Sequence, residues 1–175
     1  MFDPELSWDD YINNVDHIEL SDKADLLLIA PATANCIAKI THGIADDYLT
    51  TTILATKAPI VIAPAMNCKM YENEITQQNI AQLKQRGCFF IGPDYGNLAC
   101  GYEGMGRLLE PEQIAVFVDE VLNKQVKSQV EDQLTFDQLY PELTKKIVNL
   151  KSRALSGKTI LITSGPTYEE IDPIR

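Results

Sequence analysis

Histidine is nearly absent from this sequence: only His17 and His42 occur among its 175 residues. Of the four cysteines, Cys36, Cys68, Cys88 and Cys100, none forms a Cys-x-x-Cys pair, which argues against a zinc site. A secretory signal is also missing. The N-terminus reads Met1-Phe2-Asp3-Pro4-Glu5, acidic where a signal is basic and then apolar, so reduced thiols in a cytoplasmic protein are expected rather than a disulfide framework. No long hydrophobic run is present. The longest, around Ala24 to Ala32, contains Asp25 and Pro31 and falls short of the ~20 apolar residues that span a bilayer, so no membrane partner is expected. Basic residues are in deficit, 15 against 25 acidic, for a net charge of -10. That balance argues against nucleic acid as a partner, yet leaves room for one small phosphorylated ligand met by local donors.

What is present suits a packed α/β protein. Hydrophobic residues make up 45% and charged residues 23%, which is incompatible with disorder as the main state. Asp25 to Ala30 reads as a buried parallel strand. Ala34 to His42 reads as a helix, with Thr33 as N-cap and Gly43 just past its end. A second helix is expected from about Asp46 to Thr56, then a strand over Pro59 to Ala63, a helix from Glu74 to Arg86 and a strand over Cys88 to Ile91. Gly92 to Gly106 reads as a Gly- and Tyr-rich loop. Pro111 opens a helix whose Ile114, Phe117, Val118, Val121 and Leu122 form one apolar stripe. This alternation predicts an open, Rossmann-like parallel sheet with right-handed crossovers. Asn123 to Gln133 reads as a linker, and Leu139, Leu143, Ile147 and Leu150 suggest a short helix. Lys158 to Thr163 reads as a further strand, the first of a second α/β domain.

Ligands of such sheets bind beyond the carboxyl ends of the strands, and three segments there are distinctive. Pro31-Ala-Thr-Ala-Asn35 joins a strand to a helix N-terminus, where free N–H groups can hold a polar ring edge or an anion; equally, Thr33 and Asn35 can simply cap the helix. In Pro64-Ala-Met-Asn-Cys-Lys-Met70, Asn67 has the donors for a carboxylate; alternatively it caps the next helix while Met66 and Met70 fill gaps in a core. In Asn97 to Arg107, a cysteine among glycines suggests an accessible thiol on a flap, or a glycine-rich turn with a passive Cys100. Arg107 can hold a phosphate or carboxylate, or pair with a surface acid. His17 is the best placed proton-transfer group by its ordinary pKa, and His42 fits a helix C-terminus.

Together, His17-Ile-Glu-Leu20, Ala30-Pro-Ala-Thr-Ala-Asn35, Gly43-Ile-Ala-Asp-Asp47, Pro64-Ala-Met-Asn67 with Met70, and Leu98-Ala-Cys-Gly101 through Gly106-Arg107 resemble the homo-oligomeric flavin-containing cysteine decarboxylase family. The tail, Ile162-Thr-Ser-Gly-Pro-Thr167 with Glu169 and Ile171 to Arg175, resembles the opening of the ligase half found in the bifunctional decarboxylase–ligase branch of bacterial coenzyme A biosynthesis. The resemblance implies FMN-dependent decarboxylation of 4′-phosphopantothenoyl-L-cysteine to 4′-phosphopantetheine. It assigns catalytic roles to His17, Asn67 and Cys100, with Asn67 on the substrate carboxylate and Cys100 as proton donor. Ala30, Pro31, Ala32, Thr33, Asn35 and Met66 would lie against FMN. Met70, Ala99 and Arg107 would join Asn67 and Cys100 around the substrate. It further implies a trimer or higher homo-oligomer, and CTP with Mg2+ for a complete ligase half.

The family pattern also carries an N-terminal strand and a Gly-Ser-rich loop for the FMN phosphate, which this sequence does not supply before His17. The expected organisation is therefore a partial flavoprotein domain over 1–123, a linker with a short helix over 124–155, and the start of a ligase domain over 156–175. An internal piece of this kind is expected to bind FMN weakly or not at all. Two other readings share the fold: a catalytically silent trimeric interaction module, and a sister flavin enzyme such as a peptidyl-cysteine decarboxylase or prenyl-flavin synthase.

Overall fold

The run Leu26-Leu-Leu-Ile29 is apolar at every position because it is covered on both faces. In a computed structural model, which describes residues 16–98, 101–125 and 157–163, it forms strand β1 (Leu26–Ala32). Successive side chains of a strand point to opposite faces. Leu26 and Leu28 therefore join Val61, Ala63, Ile91, Leu109 and the helix residues Ile114, Phe117, Val118, Val121 and Leu122 in one buried cluster. Leu27, Ile29 and Ala32 join Ile37, Ile53, Ile62, Ile80, Leu83 and Phe90 in another. The result is three layers, helix on sheet on helices.

The described residues begin with α1 (Asp16–Lys23), a helix that the sequence pattern does not reveal. After β1 come α2 (Ala34–His42), α3 (Tyr48–Ala55), β2 (Ile60–Pro64), α4 (Cys68–Glu72), α5 (Glu74–Gln85) and β3 (Phe89–Phe90). Then β4 (Asp94–Asn97), β5 (Glu103–Arg107), α6 (Pro111–Gln125) and β6 (Ile160–Thr163) follow. Local chemistry sets the helix ends as the sequence predicts. The Thr33 hydroxyl accepts from Cys36 N–H, and Gly43 closes α2 in the left-handed conformation at φ 69°. Asp47 and Thr50 form a reciprocal capping box at the start of α3. The predicted stripe of α6 is the face that packs on the sheet.

The main sheet is parallel, in the order β3-β2-β1-β6. Two features depart from the sequence reading. Gly92 to Gly106 is not wholly a loop: β4 and β5 pair as an antiparallel hairpin, with Gly96 opposite Gly104. Glycine lowers strand propensity, but the pairing and its docking on the α4 region override it. The strand read as opening a second domain forms, and it lies in the first sheet, Leu26 to Ile29 of β1 pairing with Ile160 to Thr163. Pairing satisfies the backbone groups of the β1 edge. Asp25 secures it: its N–H donates to the Thr159 carbonyl at 2.9 Å, and its carboxylate accepts from Thr159 N–H at 2.8 Å. The linker beyond Gln125 and the helix expected near Leu139 to Leu150 lie outside the described residues. Among the described residues, no helix is long and apolar enough to cross a membrane.

Candidate active site

Parallel strands β1 and β2 end side by side, Ala32 being the partner of Pro64, and Ala65 N–H donates to the Ala32 carbonyl at 3.0 Å. The two loops that follow are therefore neighbours at the carboxyl edge of the sheet, where the sequence reading put the ligand. The first loop carries Ala30, Pro31, Ala32, Thr33 and Asn35. Ala32 is buried, Ala30, Pro31 and Thr33 are half-buried, and Asn35 is exposed. Thr33 caps α2, as the alternative reading had it. The first turn of α2 holds no acidic residue, while Lys39 and His42 occupy its last turn. Small side chains and backbone donors without carboxylates suit the polar edge of a flat, electron-rich ring.

In the second loop, Met66 packs against the cluster of Leu27, Ile29 and Ile62. Asn67 caps α4: its Oδ1 accepts from Lys69 N–H at 2.9 Å. That contact assigns the oxygen end of the carboxamide to the cap, since an N–H donor requires the oxygen. Capping and ligand binding are thus compatible in Asn67. Met70 is 48% exposed and fills no core gap.

The hairpin lies over this second loop. Met66 N–H donates to the Gly106 carbonyl at 3.0 Å, and the Lys69 ammonium sits 5.0 Å from the centroid of the Tyr102 ring. At the hairpin end, Leu98 N–H donates to the Tyr102 carbonyl at 2.8 Å. Ala99 and Cys100 stand in sequence between these residues and lie outside the described ones. Arg107 is ion-paired with Glu110, three residues on. His17 is placed in α1, its ring edge-on to Tyr48 of α3 with centroids 6.2 Å apart. The Ser21 hydroxyl ties α1 to α3 through the Thr52 carbonyl. The described geometry thus joins the Ala30–Asn35, Met66 and Asn67 set with the hairpin, and sets His17 on the α1–α3 side.

Two thiols are disfavoured as thiolates. Burial, with the Asp47 carboxylate nearby, pushes Cys36 up to about 11, and burial raises Cys88 as well. The sequence reading missed Gly104 and Gly106 as contacts because it took glycine as a sign of flexibility. The available signal was alternation: Gly104 and Gly106 face inward, while Glu103, Met105 and Arg107 face solvent.

Residues 3–123 match the family described as Flavoprotein. The chain belongs to the flavoprotein family. It is 45% identical over 161 residues to the coenzyme A biosynthesis bifunctional protein CoaBC of Bacillus subtilis (strain 168), an alignment covering 92% of this chain and 34% of that protein. The chain therefore spans about a third of the length of the curated relatives it matches. Among solved structures, it is similar to a PPC decarboxylase mutant complexed with pantothenoylaminoethenethiol, with a TM-score of 0.61 and 39% identity over 62% of this chain and 61% of that one. It is also similar to the FMN binding protein AtHal3, with a TM-score of 0.58 and 40% identity over 63% of this chain and 61% of that one. These neighbours share the α/β fold with its parallel sheet.

Proposed function

We propose that this chain is the decarboxylase part of a coenzyme A biosynthesis protein, acting on 4′-phosphopantothenoyl-L-cysteine with FMN. The observation that carries the reading is the junction of the β1 and β2 ends, which sets a carboxylate-free loop for the flavin beside the loop that carries Asn67. Likeness to CoaBC and to the PPC decarboxylase structure supports it.

When bound, FMN supplies the two-electron oxidation that turns the substrate thiol carbon into an electron sink for the departing carboxylate, and then returns the electrons. The chain's own residues do the rest. The Ala30–Asn35 loop and Met66 offer the flavin small side chains, backbone donors and an apolar wall. The Asn67 carboxamide donates to the substrate carboxylate. An amide is a neutral donor, so it adds no salt bridge of its own to oppose loss of carbon dioxide. Cys100, which stands in sequence between β4 and β5, is the proton donor for the final reduction, as the family resemblance implies. His17 contributes from α1, and Met70 and Ala99 line the substrate. Residues 1–123 belong to this unit and 124–155 to a linker; within 156–175, β6 completes this unit's sheet and leads in sequence into the opening of a CTP- and Mg2+-dependent ligase, in a cytoplasmic homo-oligomer.

The test is turnover by the full-length, FMN-loaded protein. Wild type is expected to release carbon dioxide from 4′-phosphopantothenoyl-L-cysteine and form 4′-phosphopantetheine. Asn67→Ala should lose at least about 100-fold in kcat/KM with flavin retained. Cys100→Ser should release carbon dioxide yet accumulate the oxidised, decarboxylated product. Wild-type-like turnover by Asn67→Ala overturns the carboxylate role, and normal product from Cys100→Ser overturns the proton-donor role.

A further inference from the structure

Strand β5 lies unusually close to the loop that presents Asn67. A Cβ built on Gly106 would fall 2.1 Å from the Met66 carbonyl oxygen, and one on Gly104 would fall 2.9 Å from Cys68 Cβ. Gly106 also has φ 147°, a backbone conformation that side chains disfavour. Both glycines sit on the buried face of β5, one strand repeat apart. Their two contacts bracket Asn67 in sequence, one at Met66 and one at Cys68. The Met66 N–H bond to Gly106 lies within the same contact.

We propose that Gly104 and Gly106 are positioning residues for Asn67. Having no side chains on the inner face of β5, they let the strand rest directly on the Met66 backbone and the Cys68 side chain. The hairpin and the Asn67 loop thereby move as one unit, with the carboxamide aimed by a backbone pinned on both sides. The inference rests on the reading of Asn67 as the substrate carboxylate donor. A methyl group at position 106 would have to displace the Met66 carbonyl or β5 by about 1 Å, and a misplacement of that size costs on the order of 100-fold in rate.

The experiment compares two probes on the full-length, FMN-loaded protein: 4′-phosphopantothenoyl-L-cysteine, and 4′-phosphopantetheine, which lacks the carboxylate. Gly104→Ala is the principal variant because its clash is with a single side chain, and Gly106→Ala is the more severe companion. Cys68→Gly removes the Cβ that Gly104→Ala would strike. Expected for Gly104→Ala is an affinity loss of about 10-fold or more for the carboxylate probe, little change for the carboxylate-free probe, and faster hydrogen exchange over Met66 to Lys69. Adding Cys68→Gly should restore all three to within about threefold of Cys68→Gly alone. A Gly104→Ala protein that keeps the carboxylate preference, or one whose loss is not restored by Cys68→Gly, overturns the inference. Wild-type protein that does not distinguish the probes overturns the reading of Asn67 instead, whatever the exchange shows.

Discussion

The parallel sheet and the β4–β5 hairpin are neighbours built on opposite principles. In the sheet, every β1 side chain from Leu26 to Ile29 is buried and cohesion comes from apolar area on two faces. In the hairpin, the inward positions of β5 are glycines and the large side chains, Tyr95, Tyr102 and Met105, are exposed. Its attachment is a backbone hydrogen bond and the close approach that missing side chains permit. A scaffold gains from bulk because packing density holds strand ends in place. A strand that must fit against a loop carrying a substrate ligand gains from the absence of bulk.

The contrast can be broken from either side. The largest effect belongs to the sheet: Ile29→Ala, at a fully buried position, should cost about 3 kcal/mol, read as a shift of the urea unfolding midpoint. A cost below about 1 kcal/mol would show that this face is not the main source of cohesion. The hairpin should respond weakly to loss of a large side chain. Tyr102→Ala, 51% exposed and touching the Lys69 ammonium, should cost about 0.5–1 kcal/mol in the same assay. An effect equal to that of Ile29→Ala would erase the distinction.

The smallest effect sharpens the comparison at the other edge of the sheet, where β6 is held through Asp25. The Thr159 backbone hydrogen bond, helped by Lys158, holds the Asp25 carboxyl below its ordinary 3.8. A depressed carboxylate stabilises the paired state above that value and loses the contribution as pH falls through the lower folded-state value. Hydrogen-exchange protection of the Ile160 to Thr163 amides should therefore weaken as the pH falls below 3.8, and Asp25→Asn should remove that dependence. Unchanged pH dependence in Asp25→Asn would place the titrating group elsewhere.

Much of the frame was legible before any coordinates. The uninterrupted Leu26 to Ile29 run announces a strand buried on both faces, and Thr33, Gly43 and Pro111 mark helix ends through local hydrogen bonding and fixed dihedrals. The α6 stripe states its buried face by its period. Helix α1 was not legible, because His17 to Lys23 is polar and its anchoring is a tertiary contact, Ser21 to the Thr52 carbonyl. The candidate site was legible as residue types but not as an arrangement. Asn67 formed the helix cap that had stood as its alternative, and Arg107 formed the surface ion pair that had stood as its own.

What the sequence determined alone is what depends on neighbours along the chain: the order of strands and helices, most of the caps, the two-faced burial of β1 and the flavoprotein motifs. What only the tertiary structure decided depends on segments distant in sequence. The pairing of β6 with β1, the packing of α1 on α3, and the seating of Gly104 and Gly106 on Met66 to Cys68 are of this kind. The physical reason is that a glycine carries no pattern of its own. Whether it marks freedom or a close fit is settled by the atom it meets, here the Met66 carbonyl across the site.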